Sequence, residues 1–340
     1  MKEFRQYLIV LFLMAGALSA YLPIRYDTPF PRDIRPQFDP AIRRVHMEDI
    51  NAQHPDAVLL GDSMLAPALN PDALGERLDM RFYTISLSGS ASTLWYLITK
   101  NNIVDTDPSP RYLFIFFRDS MMTLPGYRVT GRYFDRIEEF AGPKDEILIQ
   151  RAYLDQMNPL EKLAERYLPI YGLRWRIREG IDSRLRYTLP SALLGCDQPC
   201  MDLAMEVVFG SLNIDVKFLN ETIASADDYL YHRGALNFDK QVDRSLLPEL
   251  IAICKQNNIQ LVLVRMRIMR FTRPGSEPAA LRDYGEKLAA YLQANGVIYL
   301  DYSDNPVLTP NLFADPVHLT EEGKAIFTEM FGNDLEPLLK

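Results

Sequence analysis

RYLFIFF, at 111–117, is the stretch that most constrains what this chain can fold into. Apolar on both faces with a charge only at its first residue, it predicts a strand covered on both sides, the situation of parallel sheets flanked by helices. Four further short runs read as strands: AVLLG (57–61), RFYTIS (81–86), IQLVLVRMR (259–267) and VIYLD (297–301). Helical patterns separate them at PDALGERL (71–78), STLWYLITKNN (92–102), LRDYGEKLAAYLQAN (281–295) and EEGKAIFTEMF (321–331). In the third of these, Leu281, Tyr284, Leu288 and Leu292 repeat at helical spacing and Gly296 is placed to stop the helix. Strands alternating with helices predict an α/β fold with a mostly parallel five-stranded sheet and right-handed crossovers. With 48% hydrophobic residues the chain can bury a core of that size.

Two regions fall outside the alternation. From Tyr7 to Ile24 the sequence carries no charge, and Lys2 and Arg5 precede it. Such a run predicts a membrane anchor with its N-terminus in the cytoplasm; the alternative is a cleaved signal peptide, since Ala15-Gly16-Ala17 has the form of a cleavage site. Either way the body of the protein is exported, to the periplasm or another extracytoplasmic space. The proline-rich PFPRDIRPQFDP that follows predicts a linker. The second region, 125–245, predicts a helical insertion. Within it LRWRIREGIDSRLRY (173–187) sets Leu173, Ile177, Ile181 and Leu185 in a stripe flanked by arginines. That helix either lies on an anionic membrane surface, docks on a partner, or packs on its own domain with a solvated basic face. The expected organisation is an anchor at 1–25, a linker and lead-in at 26–55, core halves at 56–124 and 246–340, and the insertion between them.

The net charge of −8 argues against a general nucleic-acid binder. No metal-ligand cluster, phosphate loop or dinucleotide fingerprint is evident, so no cofactor or metal is expected. Cys196 and Cys200, in GCDQPC, either pair or stay as thiols, and Cys254 reads as a buried helix residue. Of the four histidines, His46, His54 and His232 lack a companion at metal spacing. His318 differs, because Asp315 precedes it by three residues in FADPVHLTEEG. Thr320 is placed to cap the closing helix, with Glu321 and Glu322 in its first turn.

Ser63, in LLGDSML, follows the first strand as His318 follows the last. It is either a helix N-cap or a nucleophile. A serine needs a base, and the base an acceptor to fix its tautomer; His318 and Asp315 are the candidates. Open α/β sheets place ligands along the C-terminal strand edge, where both would lie.

Gly61-Asp62-Ser63 after a strand, with Asp315-Pro-Val-His318 near the C-terminus, resembles the SGNH (GDSL-type) hydrolase superfamily over 56–119 and 255–330. The resemblance implies a flavodoxin-like three-layer sandwich, a catalytic Ser63, His318 and Asp315, and an oxyanion glycine matched by Gly89 in ISLSGSAS. One block departs: where the family has Gly-x-Asn-Asp, this chain reads FFRDS, so Arg118 stands in place of the Asn, followed by Asp119. Arg118 either donates to the oxyanion or forms an ion pair with Asp119. The layout is similar to the cell-envelope branch that acetylates alginate and related exopolysaccharides. That implies an acyl-Ser63 intermediate, a polysaccharide acceptor and a multipass membrane acyltransferase as partner. A carbohydrate or lipid esterase and a non-catalytic scaffold of a polysaccharide machine are the alternatives.

Overall fold

A computed structural model of the chain describes residues 2–184 and 226–339, apart from 274, together with Ser191, Ala192, Gly195, Asp197, Pro199, Cys200 and Leu203. By contact the chain divides into two compact units, Met1–Pro36 with Tyr153–Ala226 and Gln37–Ala152 with Asp227–Lys340. The expected 125–245 insertion is thus shared between them, with 125–152 and 227–245 belonging to the second unit.

The second unit holds the sheet. Strands β1 (Ala57–Gly61), β2 (Phe82–Ser86), β3 (Tyr112–Phe117), β4 (Gln260–Arg265) and β5 (Ile298–Asp301) run in the order β2-β1-β3-β4-β5. Every pairing is parallel. Because β1 and β3, at its centre, are covered on both faces, Val58, Leu60, Leu113, Phe114 and Ile115 are fully buried. That is the reason RYLFIFF has no polar face. The chain steps from β1 to β2 on one side and then crosses to β3 on the other, so the direction of winding reverses between β1 and β3. Ligand crevices of doubly wound sheets open at that reversal, at the C-terminal strand ends. Here Gly61 pairs with Ser86 and Phe116, Phe117 with Arg265, and Arg265 with Asp301, which brings those ends to one edge.

Helices complete the layers. In chain order the unit contains α2 (Val45–Gln53), α3 (Leu65–Ala68), α4 (Pro71–Leu78), α5 (Ser92–Ile98, continued as a π-helical turn to Ile103) and α6 (Phe134–Phe140). Three longer helices, Leu247–Gln256, Ala279–Ala294 and Glu321–Leu335, follow in its second half. Leu281, Tyr284, Leu288 and Leu292 are all fully buried on one helix, as their spacing predicts. Asn70 caps α4 through Asp72 and Ala73, and Thr320 caps the closing helix through Gly323. Phe327 and Phe331 of that helix stack on each other, and Phe331 meets Phe114 and Phe116 of β3. The helix α2 lies in what the sequence presents as lead-in.

The first unit begins with α1 (Lys2–Arg25), long and apolar enough to cross a membrane. Three short helices join it: α7 (Pro159–Tyr167), α8 (Pro169–Gly172) and α9 (Arg174–Ser183). The label α9 covers the first part of the basic segment; Leu173 is buried and Ile181 exposed, while Leu185 lies outside the described residues. Cys200 is disulfide-bonded and Cys254 is free and buried; Cys196 lies outside the described residues.

Candidate active site

Gly61 ends β1 against its neighbours: a Cβ there would lie 3.1 Å from Leu65 Cβ and 3.2 Å from Phe116 Cβ. A side chain there would need its neighbours to give by a few tenths of an ångström, so the first letter of Gly-Asp-Ser suits a tightly packed strand end. Asp62 is buried and builds the next turn. Its Oδ1 accepts from the Met64 N–H at 3.0 Å, and its carbonyl accepts from Leu65 N at 3.2 Å and from the Ser86 hydroxyl at 2.9 Å. Ser63 is thereby lifted off the strand end. It caps no helix: α3 starts two residues later and has no side-chain cap.

Instead, the Ser63 hydroxyl meets the His318 ring, Oγ to Nε2 2.9 Å. The other ring nitrogen, Nδ1, lies 2.6 Å from Asp315 Oδ2. Asp315 Oδ1 accepts from the N–H groups of Val317 and His318, each at 2.9 Å, which fixes the carboxylate within its own loop. That loop is itself held. Phe313 bridges Leu319, Ala314 N donates to the His318 carbonyl at 2.8 Å, and Met269 N donates to the Pro316 carbonyl at 3.0 Å. Partial burial pushes the Asp315 carboxyl up, but the hydrogen bonds from His318 and the two N–H groups outweigh it and hold it below the usual carboxylate range. An ionised Asp315 at Nδ1 favours the tautomer that leaves Nε2 free to accept the serine proton.

Gly89 sits in the turn after β2 with φ +77°, left-handed backbone that favours glycine. Its open side is covered by Tyr133, whose Cε1 would lie 2.8 Å from an added Cβ. Leu87 N donates to the Gly61 carbonyl at 3.0 Å, and the Ser90 hydroxyl donates to that same carbonyl at 3.1 Å, so this turn is tied directly to the end of β1. Trp95 Nε1 donates to Ser90 Oγ, and the Arg136 guanidinium to the Ser88 carbonyl. Among the described residues the N–H groups of Ser63 and Gly89 donate no hydrogen bond within the protein. Two unspent donors beside a serine–histidine pair are what an oxyanion would need.

Arg118 and Asp119 follow β3 and are both buried, with Arg118 Nη1 2.6 Å from Asp119 Oδ2. Burial opposes the charge on Arg118, but Asp119, Tyr127, Tyr231 and Asp62 outweigh it and hold its pKa above the ordinary value. Of the two roles open to Arg118 from sequence, the ion pair is the one with a visible contact. Asp119 adopts φ +53°.

Two residues that border the site, Arg128 and Tyr133, are not singled out by the sequence. Arg128 places Nη1 4.0 Å from Asp62 Oδ2 and stacks over the rings of Tyr127 and Tyr133, at 5.0 and 5.6 Å. It therefore lies between the turn that carries Ser63 and the tyrosine that covers Gly89. Both come from the stretch expected to be insertion; the one available signal is the mixture of tyrosine, arginine and glycine in GYRVTGRYF (126–134), separated from the end of β3 by eight residues.

The other histidines have local roles. His46 Nδ1 lies 3.1 Å from the Tyr83 hydroxyl and its ring stacks on Phe140. His54 ends α2 in left-handed backbone, and His232 Nδ1 accepts from Ala235 N at 3.0 Å. No group of metal-ligating side chains occurs among the described residues.

No family model and no curated protein matches the sequence. Solved structures do match in shape, at low identity. A "putative acylhydrolase" from Bacteroides fragilis is 13% identical with a TM-score of 0.41, the match covering 89% of this chain and 100% of that one. A GDSL-like lipase from Bacteroides thetaiotaomicron is 11% identical with a TM-score of 0.37, covering 83% and 88%. An acetyl xylan esterase, AlAXEase, is 10% identical with a TM-score of 0.35, covering 82% and 98%. The likeness is distant, and the assignment of fold stands on the chain's own five parallel strands in the order β2-β1-β3-β4-β5 and on the loops that follow β1 and β5. The chain has a doubly wound, flavodoxin-like α/β fold built on one all-parallel five-stranded sheet.

Proposed function

We propose that this protein is a membrane-anchored serine acyl-transfer enzyme. It carries an acyl group, acetyl in the simplest case, on Ser63 and passes it to hydroxyls of a cell-envelope or exported polysaccharide. The observation that carries the reading is the Ser63–His318–Asp315 chain of contacts, 2.9 and 2.6 Å, at the C-terminal edge of the sheet. In the first half-reaction His318 Nε2 takes the Ser63 proton as Oγ attacks the acyl carbonyl. The tetrahedral oxyanion is met by the N–H groups of Ser63 and Gly89, and the leaving group departs with the proton from His318. In the second, a sugar hydroxyl gives its proton to His318 and attacks the acyl-serine; the acyl–Oγ bond breaks and His318 returns the proton to Ser63 Oγ, which restores the free enzyme.

The export and anchoring parts of the reading are supported by α1, which is long and apolar enough to cross a membrane and lies near the N-terminus. The acyl donor on the outer side of a membrane would come from a multipass acyltransferase, and the acceptor is the polysaccharide. Hydrolysis is the competing outcome of the same acyl-serine, with water in place of the sugar. The test supplies an activated acetyl ester together with soluble oligosaccharide acceptors and follows both products. Acetylated oligosaccharide that requires Ser63 and His318 supports transfer. Acetate alone, unaffected by acceptor concentration, would make the protein an esterase instead.

A further inference from the structure

The helix α7 is inverted relative to a helix in water. Its buried position is Glu165, 7% exposed and paired with both Arg32 and Arg174. Its leucines face outward: Leu160 is 78% and Leu163 57% exposed, and Tyr167, seven residues after Leu160, is 51% exposed. Residues at i, i+3 and i+7 share one face of a helix, so the apolar stripe lies on the exposed face of α7. Leu168 and Trp175 continue it onto α9, at 52% and 56%. Isolated exposed leucines are ordinary, but a helix that buries its acid and displays its apolar stripe is not.

What covers this stripe follows from where α1 ends. Helix α1 packs on α8, and Leu22 in its last turn is buried while Tyr21 and Ile24 on either side remain open. The chain leaving α1 is then built into α7 and α9. Arg176 Nη1 donates to the Tyr26 carbonyl and to Thr28 Oγ1 at 3.4 and 3.3 Å, and Arg32 N donates to the Arg166 carbonyl at 3.0 Å. Twenty-four helical residues extend about 36 Å, slightly more than the roughly 30 Å of a bilayer's hydrocarbon. The last turn of a spanning α1 therefore lies at the lipid–water boundary, and the helices fastened to it lie there too. The exposed chemistry matches that zone: Arg166 stacks on Tyr167 at 5.4 Å, and Arg178 lies beside Trp175 at 5.8 Å. Aromatic rings with arginines beside them favour the headgroup level, where the ring is half immersed and the cation reaches phosphate.

We propose that the outer face of α7, with Trp175 of α9, is a foot that rests in the headgroup–acyl boundary of the bilayer, next to the exit of α1. The proposal depends on α1 spanning the membrane. The foot would hold the first unit flat at the surface, so that α1 acts as one of two contacts with lipid.

Two tryptophans in the chain make this measurable, because Trp95 is fully buried and Trp175 is exposed. The full chain is placed, one copy per disc, in lipid nanodiscs of phosphatidylcholine and phosphatidylglycerol. Lipids brominated near the glycerol end or deep in the chain are compared with aqueous iodide, and Trp175→Phe identifies the Trp175 share of the emission. The expected result is strong quenching by shallow bromines, weaker by deep ones, and little by iodide. Replacing Leu160, Leu163 and Tyr167 together by serine, all on an exposed face, should at least halve the shallow quenching with the circular dichroism unchanged. Quenching of Trp175 by iodide and not by lipid overturns the proposal, as does shielding from both, which would mean a protein cover. Alkaline extraction reads α1 separately: a chain stripped from the membrane refutes the spanning helix, whereas a retained chain with iodide-accessible Trp175 refutes the foot alone.

Discussion

Gly89→Ala separates the backbone geometry of the turn after β2 from its packing. The substitution meets two obstacles that the structure locates independently. At φ +77° an alanine pays for left-handed backbone, about 1–2 kcal/mol. Its Cβ also falls 2.8 Å from Tyr133 Cε1, and relieving such an overlap typically costs about 1–3 kcal/mol. The folded state should therefore lose about 2–5 kcal/mol, read as a lower urea midpoint at unchanged slope. If the turn relaxes by moving the Gly89 N–H, the oxyanion loses a donor, and turnover of an activated acetyl ester should fall about 10²–10³-fold. Tyr133→Ala in the same chain removes the overlap and leaves the backbone cost. The double variant should recover the packing share of the stability, while kcat stays low. A Gly89→Ala protein within about 0.5 kcal/mol of the parent and with full turnover would refute both the strained turn and the role given to its N–H.

Three other outcomes follow from the same contacts. Asp315→Asn should lower kcat by up to about 10⁴-fold through the wrong His318 tautomer. Because the folded Asp315 carboxyl titrates below its unfolded value, its contribution to stability is present above about pH 4 and lost as the pH falls through the folded pKa, so the Asn variant should show a shallower acid limb in urea melts from pH 6 to about 3. Arg118→Met leaves Asp119 buried without its cation and should cost about 3–5 kcal/mol by chemical denaturation, whereas Arg118→Met with Asp119→Leu should cost much less. Burial pushes the Cys254 thiol up to about 12, so iodoacetamide should leave it unmodified in the native protein at pH 8 and alkylate it once the chain is unfolded in urea, followed by mass spectrometry.

The sheet was legible because its strands are nearly pure apolar runs: AVLLG and YLFIFF are strands over the residues their composition marks. The helix α2 was not, since VHMEDINAQ buries only Ile50 and carries no apolar stripe. Gly61, Asp62 and Ser63 could be placed at a strand end, and Asp315 and His318 in one loop, because each is a local motif next to a clear element. Their meeting at 2.9 Å across 255 positions needed the strand order as well. Arg118 remained ambiguous for a physical reason: a guanidinium next in sequence to a carboxylate can turn toward it or toward a substrate, and only packing decides. Arg128 and Tyr133 lie in a segment without periodicity, and their relation to Asp62 and Gly89 exists only once the loop after β3 folds over the strand edge.

The central claim is that Ser63 becomes acylated, and intact-mass analysis tests it most directly. The full chain in detergent is exposed to an activated acetyl ester, quenched in acid and digested, beside Ser63→Ala and His318→Ala. The account predicts a single acetyl adduct mapping to Ser63, absent from Ser63→Ala and strongly reduced in His318→Ala. An adduct that persists in Ser63→Ala, or one that forms on Ser63 as readily without His318, would contradict it.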